Sequence, residues 1–347
     1  MPEYGTMPAA TNRDPTWAPA RRVLADARTL AWPALRAAVS TLPGSIRPVC
    51  EYHFGWHDHT DGAGGGKGIR AALVLECARA VGGCPDDVVA AATAVELIHN
   101  ASLIHDDIID ADAVRRHRPA VWSVFGIPTA ILAGDSLFFL AIQVAARCPA
   151  PAVLEVADAT QRLIDGEHAD IAFETNRRAT LEQCVAMAQA KTAALMRCAC
   201  VLGGLCSGVD PERSHLLGQF GTHLGMAFQL VDDLLDIWGH PENTGRPTGS
   251  DLRRRKLSLP VVAALASGTD AGTRLADFYE PTAGSLTDQE TTQVADLIEE
   301  AGGRLWARQE IENELESATA CLKTAVPSQG DAIKLTALIE LIKNRIP

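Results

Sequence analysis

The chain has 347 residues, of which 47% are hydrophobic and 5% aromatic, and its formal net charge is −12. This length allows one large domain or two, and the hydrophobic content suffices for a sizeable core. The negative charge and the lack of a long basic stripe argue against a nucleic-acid-binding protein, because phosphate backbones attract clusters of Lys and Arg.

Nine cysteines are present and none forms a C-x-x-C pair, which argues against a zinc ribbon or a disulfide framework. Most of them fall in apolar, helix-like stretches, as is typical of a reducing cytosol. The amino terminus lacks the basic and apolar segments of a signal peptide. No uninterrupted apolar run reaches the length that crosses a bilayer. We therefore expect a cytoplasmic protein that does not span a membrane.

Residues 1–20 are rich in Pro, Ala, Thr and Asn, which indicates a flexible tail, and residues 21–347 are expected to form one domain. Polar segments with Gly and Pro at 52–68 and 240–256 indicate loops. Elsewhere apolar residues recur at helical spacing, and no stretch alternates for long as a strand does. The predicted fold is all-α, a large single-domain helical bundle around a central apolar cavity. Helices are predicted over 17–42, 69–81, 85–110, 128–147, 150–170, 179–207, 212–239, 257–267, 287–301 and 303–345.

The motif D-D-x-x-D occurs twice, each time inside an apolar helical stretch. The copies are Asp106, Asp107 and Asp110, then Asp232, Asp233 and Asp236. Residues four apart share a helix face, so the first and last Asp of each copy point the same way. Mg²⁺ commonly takes one or two carboxylates and fills its other positions with water and substrate phosphate oxygens. Two such faces across a bundle would hold a diphosphate between several ions.

An acidic cluster is more often a solvated helix face than a metal site. Here the flanking stretches ASLIH, FQLV and IWG are apolar, and buried unpaired charge is costly. The second copy in the same setting favours the functional interpretation. Arg and Lys nearby would bind phosphate oxygens. GGGKG lacks the full P-loop pattern, so nucleotide binding is a weak interpretation.

Six stretches in combination resemble the trans-prenyl diphosphate synthases of the polyprenyl synthetase family, in particular those that make geranylgeranyl diphosphate. The resemblance covers roughly residues 45–310 and implies the all-α isoprenoid synthase fold, homodimers and elongation of isoprenoid chains. The matching stretches are GGGKGIR (64–70), ELIHNASLIHDDIIDADAVRRHRP (96–119), FGIPTAILAGD (125–135), KTAAL (191–195), FQLVDDLLDIWG (228–239) and TGRPTGSDLRRRKLSLP (244–260).

The resemblance assigns a role to individual positions. Direct Mg²⁺ ligands would be Asp106, Asp110 and Asp232, with Asp107, Asp233 and Asp236 supporting them. Three Mg²⁺ ions are expected with substrate bound, with Mn²⁺ as a substitute. The allylic diphosphate would be held by Arg115, Lys191 and Lys256. Isopentenyl diphosphate would be held by Lys67, Arg70, His99 and Arg116, and the reaction centre would be lined by Thr192 and Gln229.

Some positions depart from the family pattern. Arg246, which is also expected to bind substrate, replaces the usual Lys after Gly245, which keeps the charge but changes its shape. The segment EYHFGWHDHTDG is an unusual lead-in to the Gly-rich stretch. Its His53, His57 and His59 have three interpretations: a metal site, part of a loop over the substrate mouth, or ordinary surface residues. The last two are favoured.

The reaction that the resemblance implies is also consistent with the charges of these residues. Cations neutralise the leaving diphosphate, so the allylic C–O bond ionises to a delocalised cation. The C=C of isopentenyl diphosphate attacks that cation, and a proton is then lost to the departing diphosphate. Water must be excluded because it would quench the cation.

The resemblance implies that the growing chain runs along the helix before Asp106, so that the side chains there form a wall that sets product length. Neither Ala101 nor Ser102, about one helical turn before Asp106, is aromatic. This argues against a cavity that is closed after one turn. A deeper floor is expected from Ile98 and from Phe138 or Phe139, for which ordinary core packing is the alternative. Each isoprene unit needs roughly 4–5 Å, about three residues of helix. We expect a C20 product, with C15 and C25 or longer kept open.

Two other classes of protein share this scaffold and are the alternatives. A terpene cyclase on the same scaffold would not need the second diphosphate pocket of Lys67, Arg70, His99 and Arg116. A non-catalytic subunit of a synthase would be expected to lose aspartates from one motif, and here both copies are complete.

Overall fold

A computed structural model of the chain describes residues 17–56, 66–176, 179–239, 248–279 and 284–347. In these residues the chain is almost wholly helical, and its one sheet is a two-stranded antiparallel hairpin of β1 (Val114–Arg115) and β2 (Arg118–Pro119). The predicted all-α class is confirmed.

The helices follow one another along the chain. They are α1 (Ala18–Ser40), α2 (Arg47–Phe54), α3 (Ile69–Ala80), α4 (Val89–Ile109), α5 (Val121–Phe125), α6 (Ile127–Ala145), α7 (Pro151–Asn176), α8 (Leu181–Ala188), α9 (Ala194–Leu205), α10 (Pro211–Trp238), α11 (Ser250–Arg253), α12 (Leu259–Leu265), α13 (Asp270–Phe278), α14 (Asp288–Glu300), α15 (Gly303–Ala325) and α16 (Gln329–Lys343). A 3₁₀ turn (Pro85–Val88) precedes α4, and a π-helical turn (Gln189–Ala193) joins α8 to α9.

Several boundaries differ from the predicted ones. Helix α1 begins at Ala18, inside the segment predicted as tail, and its Ala20 is buried. The predicted helix over 303–345 is two helices, because Pro327 interrupts it and the Ser328 hydroxyl accepts a hydrogen bond from the Asp331 amide. Helix α7 continues six residues beyond the predicted end at Asp170.

Short helices account for most of the remaining differences. Helices α2, α5, α11 and α13 were not predicted, because each is too short to show clear apolar periodicity. Helix α2 also takes up the first part of the segment predicted as the 52–68 loop. Within the predicted helix over 179–207, the π turn shifts the register of the side chains that follow it.

A face of small residues on α10 lets this helix pack closely against its neighbours. A Cβ added to Gly221 would lie 2.6 Å from the Met196 carbonyl oxygen, and one added to Gly225 would lie 2.7 Å from the Ala193 Cα. The backbone of α10 therefore packs directly against α9 and the π turn. One helical turn after Gly225, this contact brings Gln229 opposite Thr192.

By length and composition, three helical stretches could cross a membrane: Pro85–Ile109, Ile127–Ala145 and Leu181–Leu205. Their most apolar windows are 72%, 39% and 61% buried within the chain, so most of the first and last apolar surfaces are used in packing. The expectation that the chain does not span a membrane stays a prediction.

The close packing of α10 makes a testable prediction. We expect Gly225→Ala to lower the free energy of unfolding by about 1–3 kcal/mol, because the added methyl would overlap Ala193. The matched control is Gly330→Ala in α16, where a Cβ would meet only the Ser328 Oγ at 3.8 Å. Urea unfolding of both variants measures the difference. Equal stability of the two would contradict this packing argument.

Candidate active site

The two D-D-x-x-D copies lie near the ends of α4 and α10, and one basic side chain faces both. The Arg70 guanidinium interacts electrostatically with Asp106 in the first copy and with Asp232 in the second. The two motifs, far apart in the sequence, therefore border one site.

The first motif combines one fully buried carboxylate with two half-buried ones. Asp107 is 1% exposed, and its Oδ1 lies 2.6 Å from the Arg115 Nε. Asp106 and Asp110 are partly accessible one turn apart. Burial and the nearby Glu167 carboxylate raise the pKa of Asp106 to about 7, against the Lys191 and Arg115 cations, which lower it. Such a carboxyl is suited to a cation that would replace its proton.

The second motif is held by a chain of hydrogen bonds that starts at the π turn. The Thr192 hydroxyl donates to the Gln229 Oε1 at 2.6 Å, and the Gln229 amide donates to the Asp233 Oδ1 at 2.7 Å. The Leu259 amide donates to the other Asp233 oxygen at 3.0 Å. Asp233 is thus buried as a support, and Thr192 and Gln229 are linked to it.

The other two aspartates of the second motif differ in their surroundings. The Asp236 carboxylate accepts hydrogen bonds from the Ser250 hydroxyl at 2.6 Å and the Asp251 amide at 3.1 Å, so it anchors the start of α11. Asp232 is 40% exposed at its side chain, and its Oδ1 lies 2.8 Å from the Arg345 Nη2 near the chain end. Of the three, Asp232 is the most accessible to a ligand.

Arg254 links the first motif to the segment that follows the second. Its guanidinium lies 3.5 Å from Asp112, 3.9 Å from Asp110 and 3.2 Å from Asp251 at the nearest oxygens. It also donates to the Asp110 carbonyl oxygen at 3.3 Å. The distance between the two acidic segments is thereby restrained.

The predicted lysines meet two carboxylates of α7. Lys191 projects from the π turn toward Glu167 and Asp170, and Lys256 also contacts Asp170. A Cβ added to Gly166 would lie 2.4 Å from the Lys191 amide nitrogen, so α7 passes directly over the π turn. π turns often occur at functional sites, because the extra residue redirects a side chain.

The remaining basic residues gather beside α3 and the β hairpin. Lys67 is exposed, and Arg70 and Arg116 each contain a buried guanidinium nitrogen, Nε and Nη1 respectively, with no hydrogen-bond partner among the described residues. Burial, followed by the nearby Arg70 and Arg116 charges, keeps the pKa of His99 well below its ordinary value. A neutral His beside incompletely paired guanidinium groups is suited to an anionic ligand.

Backbone geometry aims Arg116 into this cluster. Arg116 and His117 both have positive φ, 52° and 61°, at the turn between β1 and β2. Such angles are uncommon for residues other than Gly and are often kept where a side chain must be placed. The missing Cβ of Gly66 gives room to the Arg116 guanidinium, which would otherwise lie 2.9 Å from it.

His53 differs from both favoured interpretations of its segment. It lies in α2, partly buried, and its Nε2 is 3.1 Å from the Asn100 Oδ1, behind Arg116. Burial and the Arg116 charge lower the pKa of His53 to about 3. It therefore supports the wall of the basic cluster and is neither a mouth loop nor plain surface. His57, His59 and Arg246 lie outside the described residues.

The predicted wall residues fall into two groups. Ile98 and Ala101 are fully buried, and Ser102 is 8% exposed with its hydroxyl donating to the His99 carbonyl oxygen at 2.9 Å. Phe138 is half-buried, with its ring centroid 5.7 Å from that of His105. Phe139 is 72% exposed, so within a single chain it cannot line a cavity.

The carboxylates of the two motifs are the candidate metal ligands. No group of three or more His, Cys, Asp or Glu side chains in the described ranges is placed to hold a metal ion by itself. The accessible oxygens of Asp106, Asp110 and Asp232 instead fit a hard cation that takes one or two carboxylates and completes its shell with water and ligand oxygens.

The sequence alone did not predict four charged residues of the site: Glu167, Asp170, Arg254 and Arg345. Glu167 and Asp170 are three apart on a helix, and this spacing was an available signal of a shared face. Arg254 stands in a run of three Arg that gives no hint which side chain turns inward. Arg345 becomes visible only when the chain end folds back onto α10.

The buried Asp233 carboxyl makes a pH-dependent prediction. Burial raises the pKa of Asp233 from 3.8 to about 7, against the hydrogen bonds from Gln229 and the Leu259 amide. Because the folded chain holds this proton more tightly than the unfolded chain, ionisation between about pH 4 and 7 destabilises the fold. Asp233→Asn cannot ionise. Its free energy of unfolding should therefore rise relative to wild type by ~2 kcal/mol or more between pH 5 and 8.

Urea unfolding of the metal-free protein at both pH values measures this change. The control is Asp165→Asn, an exposed position on α7, for which the difference from wild type should stay constant. A constant difference for Asp233→Asn as well would contradict the raised pKa.

Comparison with known proteins agrees with this geometry. The model of the polyprenyl synthetase family matches residues 60–298. Farnesyl diphosphate synthase of Mycobacterium tuberculosis is 46% identical over 297 residues, which cover 83% of each chain. Geranylgeranyl diphosphate synthase of the same organism is 40% identical over 327 residues, which cover 92% of this chain and 93% of the relative.

Solved structures show the same fold. The polyprenyl synthetase of Streptomyces coelicolor superposes with a TM-score of 0.87 at 42% identity, over 92% of this chain and 98% of that one. The geranylgeranyl pyrophosphate synthase of Corynebacterium glutamicum, solved with calcium and isoprenyl diphosphate, superposes with a TM-score of 0.76 at 28% identity, over 96% and 98%. The chain therefore belongs to the polyprenyl synthetase family and is a prenyltransferase.

Proposed function

We propose that the chain condenses isopentenyl diphosphate with an allylic diphosphate and releases geranylgeranyl diphosphate, a C20 product. The observation that carries this proposal is the second basic cluster of Arg70, Arg116 and neutral His99, beside and separate from the lysines at the first motif. An enzyme that only ionised one diphosphate would not need two such clusters. This favours a synthase over a terpene cyclase.

The proposed metal is Mg²⁺, with three ions in the substrate-bound enzyme and Mn²⁺ as a substitute. Asp106, Asp110 and Asp232 would hold the ions, which would neutralise the leaving diphosphate. Asp107, Asp233 and Asp236 are each engaged in contacts that fix neighbouring elements, which suits support rather than direct ligation. The calcium in the Corynebacterium glutamicum relative is consistent with a divalent ion at such a site.

The side chains of this chain would divide the work on the two substrates. Lys191, Lys256 and Arg115 would bind the allylic diphosphate, whose C–O bond breaks to give an allylic cation and free diphosphate. Arg70, Arg116 and the other members of the second cluster would orient isopentenyl diphosphate. Its C=C then forms the new C–C bond, and the departing diphosphate accepts the proton.

The proposed C20 length depends on the wall at the end of α4. Ala101 and Ser102 leave the first turn before Asp106 without a bulky side chain, and Ile98 lies deeper. Phe138 is a floor candidate, whereas Phe139 would need a partner chain to become buried. A C15 product and products of C25 or longer are the alternatives.

A homodimer is also proposed. Helix α6 presents exposed apolar side chains, which are Ile127, Ile131, Leu132 and Phe139 at 48%, 43%, 58% and 72%. A row of this kind along one helix is typical of a covered surface. A second copy of the chain is the occupant that the family resemblance implies.

The proposed reaction is tested with purified protein, Mg²⁺, labelled isopentenyl diphosphate and C5, C10 or C15 allylic primers. We expect a C20 alcohol after dephosphorylation. C15 alone would refute the chain length but keep the enzyme class. Conversion of a primer to hydrocarbon without use of isopentenyl diphosphate would favour a cyclase, and no consumption would favour a non-catalytic subunit.

The small side chain of Ala101 in the proposed cavity wall predicts the effect of one substitution. Ala101→Phe should shift the main product from C20 to C15, because the ring would close the first turn of the wall. Ala320→Phe, the same change at an exposed position of α15, should leave the product unchanged. Chromatography of the products and a melting curve for each variant measure both effects. A stable Ala101→Phe enzyme that still makes C20 would place the wall elsewhere.

A further inference from the structure

Two lysines from separate parts of the chain converge on one buried carboxylate of α7. The Asp170 Oδ2 lies 2.7 Å from the Lys191 Nζ and 2.9 Å from the Lys256 Nζ. Glu167, one turn earlier, has its Oε2 2.6 Å from the same Lys191 Nζ. Asp170 is only 5% exposed and Glu167 9%.

We infer that Asp170 is a positioning residue of the allylic diphosphate subsite, where it holds the Lys191 and Lys256 ammonium groups together as one diphosphate clamp. This inference rests on the proposed function, since that function assigns the allylic diphosphate to these lysines. Asp170 itself would not touch the substrate and acts through the lysines.

Geometry explains why such a residue is needed. Because both ammonium groups contact the same oxygen atom, they can be no farther apart than the sum of the two contact distances. Lys carries a point charge on a flexible stem, and two like charges this close repel. The shared carboxylate offsets that repulsion and fixes both stems before the ligand arrives, which lowers the cost of binding.

The cluster stays ionic around neutral pH. Burial would raise the pKa of Asp170, but the Lys256 and Lys191 ammonium groups outweigh it and lower the pKa. For Lys191, burial and the Lys256 charge act to lower the pKa, and the carboxylates of Asp170, Asp106 and Glu167 outweigh them, so that it is raised. Burial would also lower the pKa of Lys256, but the carboxylates of Asp170, Asp251 and Asp110 outweigh it and raise the pKa. Both lysines are therefore charged when a diphosphate approaches.

The location of Asp170 and its two lysines distinguishes a diphosphate clamp from an ordinary structural ion pair. Lys191 and Glu167 both interact electrostatically with Asp106 of the first motif. The ammonium groups thus border the proposed metal ligands, where a bridging diphosphate would lie. A purely structural pair could occupy any interface between α7 and its neighbours.

The test compares Asp170→Asn with Asp165→Asn, the same change at an exposed position of the same helix. Calorimetry with inorganic pyrophosphate and Mg²⁺ measures affinity without any turnover, and steady-state kinetics gives KM for each substrate. We expect Asp170→Asn to weaken pyrophosphate binding and to raise the KM of the allylic diphosphate by about tenfold or more. The KM of isopentenyl diphosphate and all values for Asp165→Asn should stay within about twofold of wild type.

A double-mutant cycle separates action through the lysines from a general defect. In a Lys191→Gln, Lys256→Gln background, Asp170→Asn should have little further effect on pyrophosphate affinity. If Asp170→Asn does not fold, Asp170→Glu keeps the charge but moves the carboxylate by one methylene. It should weaken pyrophosphate binding with a melting temperature near that of wild type.

Unchanged or tighter pyrophosphate binding by a folded Asp170 variant would overturn the inference, because the carboxylate would then be idle or a competitor of the ligand. An equal rise in both KM values would overturn it too, since it would indicate a general distortion. A wild-type protein that binds pyrophosphate but never consumes isopentenyl diphosphate would refute the proposed function instead, and the binding comparison would still decide the role of Asp170.

Discussion

The structure depends on the compensation of negative charge gathered in an apolar bundle. Carboxylates cannot be buried without a nearby positive charge or hydrogen-bond donors, because the loss of hydration is too costly. In this chain each acidic segment has a fixed counterpart: Arg115 for Asp107, Arg254 for the end of the first motif, and Arg345 for Asp232. Of these residues, Arg254 contacts both Asp110 and Asp251, and so restrains how far apart the two motifs lie.

Compensation is incomplete at the positions that face the site. The raised pKa of Asp106 means that its buried carboxyl holds a proton more firmly than an exposed one would. In the second cluster, guanidinium nitrogens of Arg70 and Arg116 are buried without a hydrogen-bond partner among the described residues. The acidic side of the site is therefore complementary to a metal-bound diphosphate. The basic side is complementary to a diphosphate group without a metal.

The sequence predicted the helical class and the two acidic motifs, because both depend on local patterns. The apolar period of α4 and α10 and the repeated D-D-x-x-D are visible in the printed sequence. The partners of these motifs were harder to predict, because ion pairs such as Arg254 with Asp112 join residues far apart in the chain. Which of several similar side chains turns inward depends on tertiary packing, which no local pattern encodes.

Local exceptions to helical regularity were the other limit. The π turn at Gln189–Ala193 has no sequence signature of its own, yet it determines where Lys191 points. By contrast, Pro327 and Ser328 were readable as a break and a cap, and the split of α15 from α16 was within reach of the sequence. The difference is physical: proline and capping residues act through their own backbone, whereas the π turn fits a close approach of α7 at Gly166.

Overall similarity and product length are governed by different parts of the chain. The farnesyl and geranylgeranyl synthases of Mycobacterium tuberculosis are 46% and 40% identical to it, and these values average over hundreds of positions that form the same bundle. Under the proposed function, product length instead depends on a few side chains along α4, where a single helical turn would change the depth of a cavity by about 5.4 Å, close to one isoprene unit. A small difference in overall identity is therefore a weak guide to chain length. The small side chains of Ala101 and Ser102 are more direct evidence for the proposed C20 length. They lie where an aromatic side chain would stop the growing chain.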